Sequence, residues 1–184
     1  MPKDTSITSL GLDLSLTGTG FVIVRDGKIV SSKLIKSKKT GDLPMDELTR
    51  LIQIVRDIQT SLKATFIDIA VIENLAFGVR NATALTQLAG LNYFVRKMLT
   101  YECGYQIPFV LVAPTSLKKF ITGNGGSKKD VMLMEVYKRY GETLLDDNIC
   151  DSFALAKVGE CLLKEKEKLP EFQREVLSLL KKQI

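Results

Sequence analysis

Three short apolar runs separated by turn residues open this chain, and they restrict its fold more than anything that follows. LGLDL ends near an acid, SLTGTG follows, and FVIVR resumes the apolar run, which reads as an antiparallel hairpin around Gly and Thr. Asp26-Gly27 is a strong tight-turn dipeptide, and KIVSSKLIK after it alternates as a half-exposed strand does. Three antiparallel strands therefore come first. After the polar stretch SKKTGDLP, residues Met45, Leu48, Leu51, Ile52, Val55, Ile58 and Leu62 recur at helical spacing behind a start signal from Asp42 and Pro44.

Further along, FIDIAVIEN reads as a buried strand ending on Glu73, and a helix runs from about Ala82 to Tyr101. IPFVLVAP is a fifth strand, stopped by Pro114. The remainder is helical: TSLKKFI, then KKDVMLMEVYKRY with Ser127 as its expected N-cap, DDNICDSFALAKVGECLLKEKEK, and the amphipathic PEFQREVLSLLKKQI. Strand–helix–strand connections are right-handed crossovers, so strands four and five should run parallel to strand one. The expectation is an α/β chain with a mixed five-stranded sheet, helices on both faces and an extra C-terminal helix. This is the layout of the ribonuclease H-like fold. No linker divides the 184 residues. One domain is expected over 1–184, with a core of about 5–163 and a helical extension of about 164–184.

The chain contains no His, which removes histidine general-base catalysis, Ser-His-Asp triads and His-ligated zinc. Its three Cys are odd in number and lack CxxC spacing, which fits a reducing compartment and buried thiols. No apolar run is long enough to span a membrane and the N-terminus has no signal-peptide layout, so a soluble intracellular protein is expected. Lys and Arg number 26 against 21 Asp and Glu, a mild excess that suits a polyanionic partner. Acid–base or metal chemistry here must run on carboxylates and lysines.

Three acids occupy chemically interesting positions: Asp13 late on strand one, Glu73 at the end of strand four, and Asp151 near a helix start. Ligands of open α/β sheets collect beyond the carboxyl ends of the parallel strands, where Asp13 and Glu73 should converge. Asp147 and Asp151, one helical turn apart, would share a face and point the same way. Singly, each acid has an ordinary role as turn former or helix-dipole partner. Jointly they repel, by roughly 4 kcal/mol per pair at 4 Å and an effective dielectric near 20, unless they protonate or bind cations. An all-oxygen donor set suits Mg²⁺, with Mn²⁺ as a substitute, and two such ions can drive phosphodiester cleavage.

The segments LGLDLSLTGTGFVIV, VIEN, APTSLKKFITGNGGSKKDVM and DDNICDSFALA, in this order over roughly Leu10 to Lys157, resemble the RuvC-type Holliday junction resolvases. The resemblance implies a metal-dependent endonuclease that cuts four-way and other branched DNA in pairs, leaving 5′-phosphate ends. It also implies a homodimer without a nucleotide cofactor, working in the cytoplasm of a bacterial or phage-infected cell. Asp13, Glu73 and Asp151 match the family's acids. Asn148 stands where a further acid or a His is usual; Asp147, one residue earlier, is the expected fourth ligand, with a carbonyl oxygen of Asn148 as the alternative. The size, the extra helix and this change lean toward a bacteriophage-type member.

Lys118, Lys119, Lys128 and Lys129 surround the Gly-rich turn, and lysines just after a helix start oppose its dipole unless an anion is near. The resemblance aligns Lys118 and Lys129 on lysines that face the scissile phosphate, with Lys119 and Lys128 as auxiliaries. It also implies a DNA contact from Phe77, Arg80 and Asn81 in the loop after Glu73. The helix Ala82–Tyr101, with Leu85, Leu88, Leu91, Tyr93, Phe94 and Met98, is the candidate dimer face. Lys28–Lys39 carries five lysines and no acid, which reads either as a phosphate-tracking stripe or as edge-strand protection. Competing readings are a YqgF-like RNA-processing nuclease of the same fold and a DNA-binding module without catalysis. A sugar-kinase-like ATPase half needs a second lobe, for which the chain has no room.

Overall fold

The computed structural model describes residues 6–62, 65–75, 82–164 and 169–184. Strand β1 (Thr8–Asp13) runs antiparallel to β2 (Gly18–Arg25), and β2 runs antiparallel to β3 (Lys28–Lys36). The β2–β3 turn puts both Asp26 (φ 48°) and Gly27 (φ 88°) in the left-handed region, the geometry a two-residue hairpin needs to match strand twist. On its other side β1 pairs parallel with β4 (Ile69–Glu73), and β4 pairs parallel with β5 (Phe109–Val112). The order is β3-β2-β1-β4-β5. This ribonuclease H-like sheet is the one the sequence predicts.

Alternation along the strands divides the core into two layers. Leu10, Leu12, Phe21, Ile23, Ala70 and Ile72 face α1 (Pro44–Leu62) and α2 (Ala82–Tyr101). Val22, Val24, Ile69, Val71, Val110 and Val112 face the opposite layer. There α5 (Asp147–Leu163) lies on the sheet, flanked by α3 (Pro114–Thr122), α4 (Lys129–Tyr140) and α6 (Glu171–Leu180). Thus β4 sends Ile69 and Val71 one way and Ala70 and Ile72 the other, as a strand covered on both faces must.

α5 is buried almost all round, from Cys150 to Leu162 apart from Asp151. Even Lys157 and Glu160 are enclosed; they form an ion pair with each other, and the Lys157 ammonium lies 5.0 Å from the centre of the Tyr140 ring. Close approach to the sheet requires glycine opposite the helix. A Cβ at Gly11 would lie 1.9 Å from the Ser152 carbonyl oxygen, and one at Gly20 would lie 2.1 Å from that of Asn148.

The helix over Lys129–Tyr140 begins without the side-chain cap expected from Ser127. Its N-cap is Lys128, which makes no side-chain cap bond. The preceding turn closes on itself: the Ser127 hydroxyl donates to the Asn124 carbonyl and sits 2.8 Å from Thr122 Oγ1. At the far end of the chain the Gln183 side chain pairs with the open edge of β5. Its amide accepts from Leu111 N–H at 2.9 Å and donates to the Leu111 carbonyl at 3.0 Å, as a neighbouring strand would.

Candidate active site

β1 and β4 are adjacent and parallel, so their carboxyl ends deliver Asp13 and Glu73 to the same edge of the core. The two side chains lie close enough for each to act on the other's pKa, and both are pushed toward the protonated form. Burial first, then the nearby Asp151 charge, raises the Asp13 pKa to about 7. Burial, then Asp13 and Asp151, raises that of Glu73 to about 8. Asp151 itself is raised to about 6 by burial, against the opposing pull of Lys129. Three acids from two strands and a helix therefore share one poorly solvated spot.

What holds the helix-borne acid against the strand-borne one is Ser152, the residue after Asp151. Its fully buried hydroxyl accepts the Asp13 backbone N–H at 3.2 Å and donates to the Asn148 carbonyl at 2.7 Å. The start of α5 is fixed in turn by Asp146, whose carboxylate accepts the backbone N–H groups of Asn148 and Ile149. Asp146 thus takes the N-cap, a preferred position for Asp, and its charge also reaches Asp13.

The cations are ranged around this spot. Lys118, on α3, pulls the pKa values of Glu73 and Asp151 down, and Lys129, at the start of α4, does the same for Asp13 and Asp151. Lys129 also forms an ion pair with Asp147 at 3.0 Å, which pushes the lysine pKa up. Asp147 is 40% exposed at its side chain, and its charge reaches Asp151. It stands at the rim beside Lys129, one step outside the three clustered acids. Lys119 pairs with Glu175 of α6, and Lys128 is exposed. Among the described residues no three His, Cys, Asp or Glu side chains stand, as they lie, in a group that could hold a metal ion.

No family model matches the chain. The crossover junction endodeoxyribonuclease RuvC of Sulfurovum sp. (strain NBC37-1) is 29% identical over 153 residues, spanning 80% of this chain and 91% of that protein. RuvC of Brachyspira hyodysenteriae is 28% identical over 152 residues, 80% of this chain and 90% of that one. The solved structure of T. thermophilus RuvC in complex with Holliday junction substrate superposes with a TM-score of 0.66 at 15% identity, over 82% of this chain and 90% of that one. In sequence and in fold the chain is similar to RuvC. The yeast mitochondrial Holliday junction resolvase shares the fold more distantly, with a TM-score of 0.56 at 13% identity over 95% of this chain and 80% of that one.

Phe77, Arg80 and Asn81 lie outside the described residues. Sequence reasoning missed two residues of the candidate site, Asp146 and Ser152. For Asp146 a signal existed, since an Asp just before a helical run is a cap candidate. Ser152 had none, because its value depends on a strand 139 residues away. We expect Ser152→Ala to leave the Asp13 N–H without an acceptor and to lower stability by about 1–3 kcal/mol. Urea unfolding measures this directly. An unchanged midpoint would mean that the bridge contributes nothing.

Proposed function

We propose that this protein is a structure-selective, metal-dependent endonuclease that resolves Holliday junctions and related branched DNA. The observation that carries the reading is the cluster of buried Asp13 with part-buried Glu73 and Asp151, flanked by Lys118 and Lys129, on a RuvC-like fold. An acid cluster pushed toward its protonated form by burial and mutual repulsion, despite two lysines beside it, fits a divalent cation. Its donors are all oxygen, the preference of Mg²⁺ and Mn²⁺. Asp13, Glu73 and Asp151 would draw together to hold the metal, two ions being the stoichiometry proposed, and Asp147 would join once it releases Lys129. When bound, the metal activates water and stabilises charge on the phosphate.

The chain's own groups account for the rest. Lys118 and Lys129 would bind the scissile phosphate and neutralise charge as it grows on the oxygens, an effect that acts on the rate. Attack of water oxygen on phosphorus with departure of O3′, which takes up a proton, yields a 5′-phosphate and a 3′-hydroxyl. Lys128 and Lys119 would add peripheral phosphate contacts, with Lys119 first leaving Glu175. Phe77, Arg80 and Asn81, which follow Glu73 in the sequence, would meet the branch point, where an aromatic ring can stack on an unpaired base. Two symmetric cuts call for a two-fold homodimer. Leu91 and Met98 of α2 are spent on the chain's own core, so the pairing face would use exposed Tyr93 and part-buried Leu85, Leu88 and Phe94.

The deciding experiment incubates the protein with labelled four-way junction, linear duplex and structured RNA, with and without Mg²⁺. Paired, Mg²⁺-dependent cuts in the junction are expected. Preferential cutting of RNA would replace this reading with an RNA-processing one.

The cluster also makes stability depend on pH. Folded-state pKa values of about 6, 7 and 8 for Asp151, Asp13 and Glu73 exceed the unfolded carboxyl value of roughly 4, so the folded state holds more protons across that window. The contribution is complete below pH ~4 and is lost as pH rises through ~8. In EDTA the melting temperature should therefore fall between pH 5 and pH 8, and added Mg²⁺ should restore most of the loss at pH 8. A melting temperature indifferent to both pH and Mg²⁺ would dissolve the cluster argument.

A further inference from the structure

The edge strand β3 carries a row of lysines that the acid cluster does not use. Lys28, Lys33, Lys36, Lys38 and Lys39 are all exposed, and no acid interrupts them between positions 28 and 39. Lys39 is engaged by Asp42, and Lys33 donates to the Ser61 hydroxyl of α1 at 3.1 Å. Lys28, Lys36 and Lys38 form no ion pair with the described residues.

The register fixes where this row begins relative to the acids. Asp13 is level with Gly20, and Gly20 with Leu34, so Lys36 lies two residues further toward the carboxyl end of β1. Two strand spacings of about 4.8 Å and two residues of about 3.3 Å separate the Lys36 and Asp13 backbones by roughly 12 Å. From Lys36 the strand runs back along the sheet to Lys28, a length of roughly 25 Å, which matches the rise of about seven base pairs. The side chains straddle the edge. Lys33 reaches toward α1 through Ser61, whereas Lys36 falls on the opposite side, in phase with Leu34, which lies near Asn148 of α5. A groove of about 440 Å³ between the strand and α1 is lined by the 33–36 stretch of the strand and by Asp57, Thr60 and Ser61, with Asp57 as its single acid.

We propose that the β3 edge is a second nucleic-acid contact, a track for the backbone of one duplex arm as it leaves the acid cluster. The proposal rests on the nuclease reading for the identity of the ligand. The occupant is a polyanion, because the row is basic on both flanks, has no acid between positions 28 and 39 and begins beside the cluster. Protection of a bare sheet edge would require lysines too. It would not require them to continue past the strand, as Lys38 and Lys39 do.

The test measures binding of the full chain to a four-way junction with arms of ~20 base pairs over a salt series. The triple variant Lys28→Gln, Lys36→Gln, Lys38→Gln is compared with a control of equal charge loss elsewhere on the surface, Lys138→Gln, Lys181→Gln, Lys182→Gln. Each lost duplex contact lowers the log–log salt slope by about 0.9, so the edge variant should lose about 2.7 and the control well under 0.9. Circular dichroism checks that both variants fold, as exposed Lys→Gln changes should. Equal changes in the two variants would overturn the proposal and leave the row as edge protection only. A wild-type protein that cuts junctions with Mg²⁺ but shows no such difference sinks the track alone. One that binds with the predicted difference yet never cuts sinks the nuclease reading and leaves the track standing. Absence of any binding removes both.

Discussion

Glu73→Gln should abolish junction cleavage while leaving junction binding intact or tighter, and Asp13→Asn should do the same. Each change keeps the shape of the side chain and removes its charge. The charge is what a metal ion would engage, and several kcal/mol of transition-state stabilisation depend on it, at one order of magnitude in rate per 1.36 kcal/mol. A fall of at least about a thousandfold in single-turnover rate is expected. Binding need not suffer, since a neutral amide repels phosphate less than a carboxylate does. Gel-shift titrations in Ca²⁺ beside cleavage in Mg²⁺ separate the two effects. If either variant cuts at close to the wild-type rate, the shared site is wrong.

Gly11→Ala should do comparable damage by a different route. The new methyl carbon would meet the Ser152 carbonyl at 1.9 Å and the Ala156 nitrogen at 2.6 Å, both of them backbone atoms of α5. Side chains can rotate away from an intruder, but a helix backbone can only be lifted off the sheet. Overpacking of a core typically costs about 1–3 kcal/mol, and here the upper end or beyond is expected because nothing flexible can yield. Lifting α5 also carries Asp151 away from Asp13. Gly90→Ala in α2 is the control: its methyl would touch only Leu51 at 3.5 Å, and Ala in a helix is favoured over Gly by about 1 kcal/mol. Urea midpoints should move in opposite directions. A Gly11→Ala protein as stable as wild type would refute the close packing of α5 on β1.

The strand order was legible because local signals agreed with one another. The Asp26-Gly27 turn, the alternation of β3 and the apolar run of β4 each point to one element, and the handedness of crossovers then orients β4 and β5. The meeting of Asp13 with Glu73 followed from that order alone. The surroundings of α5 were harder to read. Lys157 and Glu160 look like a solvated pair at i, i+3, yet they are enclosed, because other elements pack around the helix on every side. Ser127 was misread as a cap for a related reason. A hydroxyl bonds to whichever partner the turn brings near, and the 122–127 turn offers Asn124 and Thr122 first. The ion pair between Lys129 and Asp147 also eluded the sequence, because it joins two helix starts that only the tertiary fold brings together.

The two borders of the sheet are finished differently, which matters for handling the protein as well as for its chemistry. β3 is left bare and fenced by lysines, whereas β5 is closed by the single amide of Gln183. A fastening made of one side chain near the C-terminal end is easily undone. A purification tag fused after Ile184, or a protease that trims the last residues, would strip the Leu111 N–H and carbonyl of their partner and leave a short apolar strand open to pairing with another molecule. Fusions at the opposite end of the chain avoid that hazard, so precipitation seen only with C-terminal fusions would trace back to this one amide.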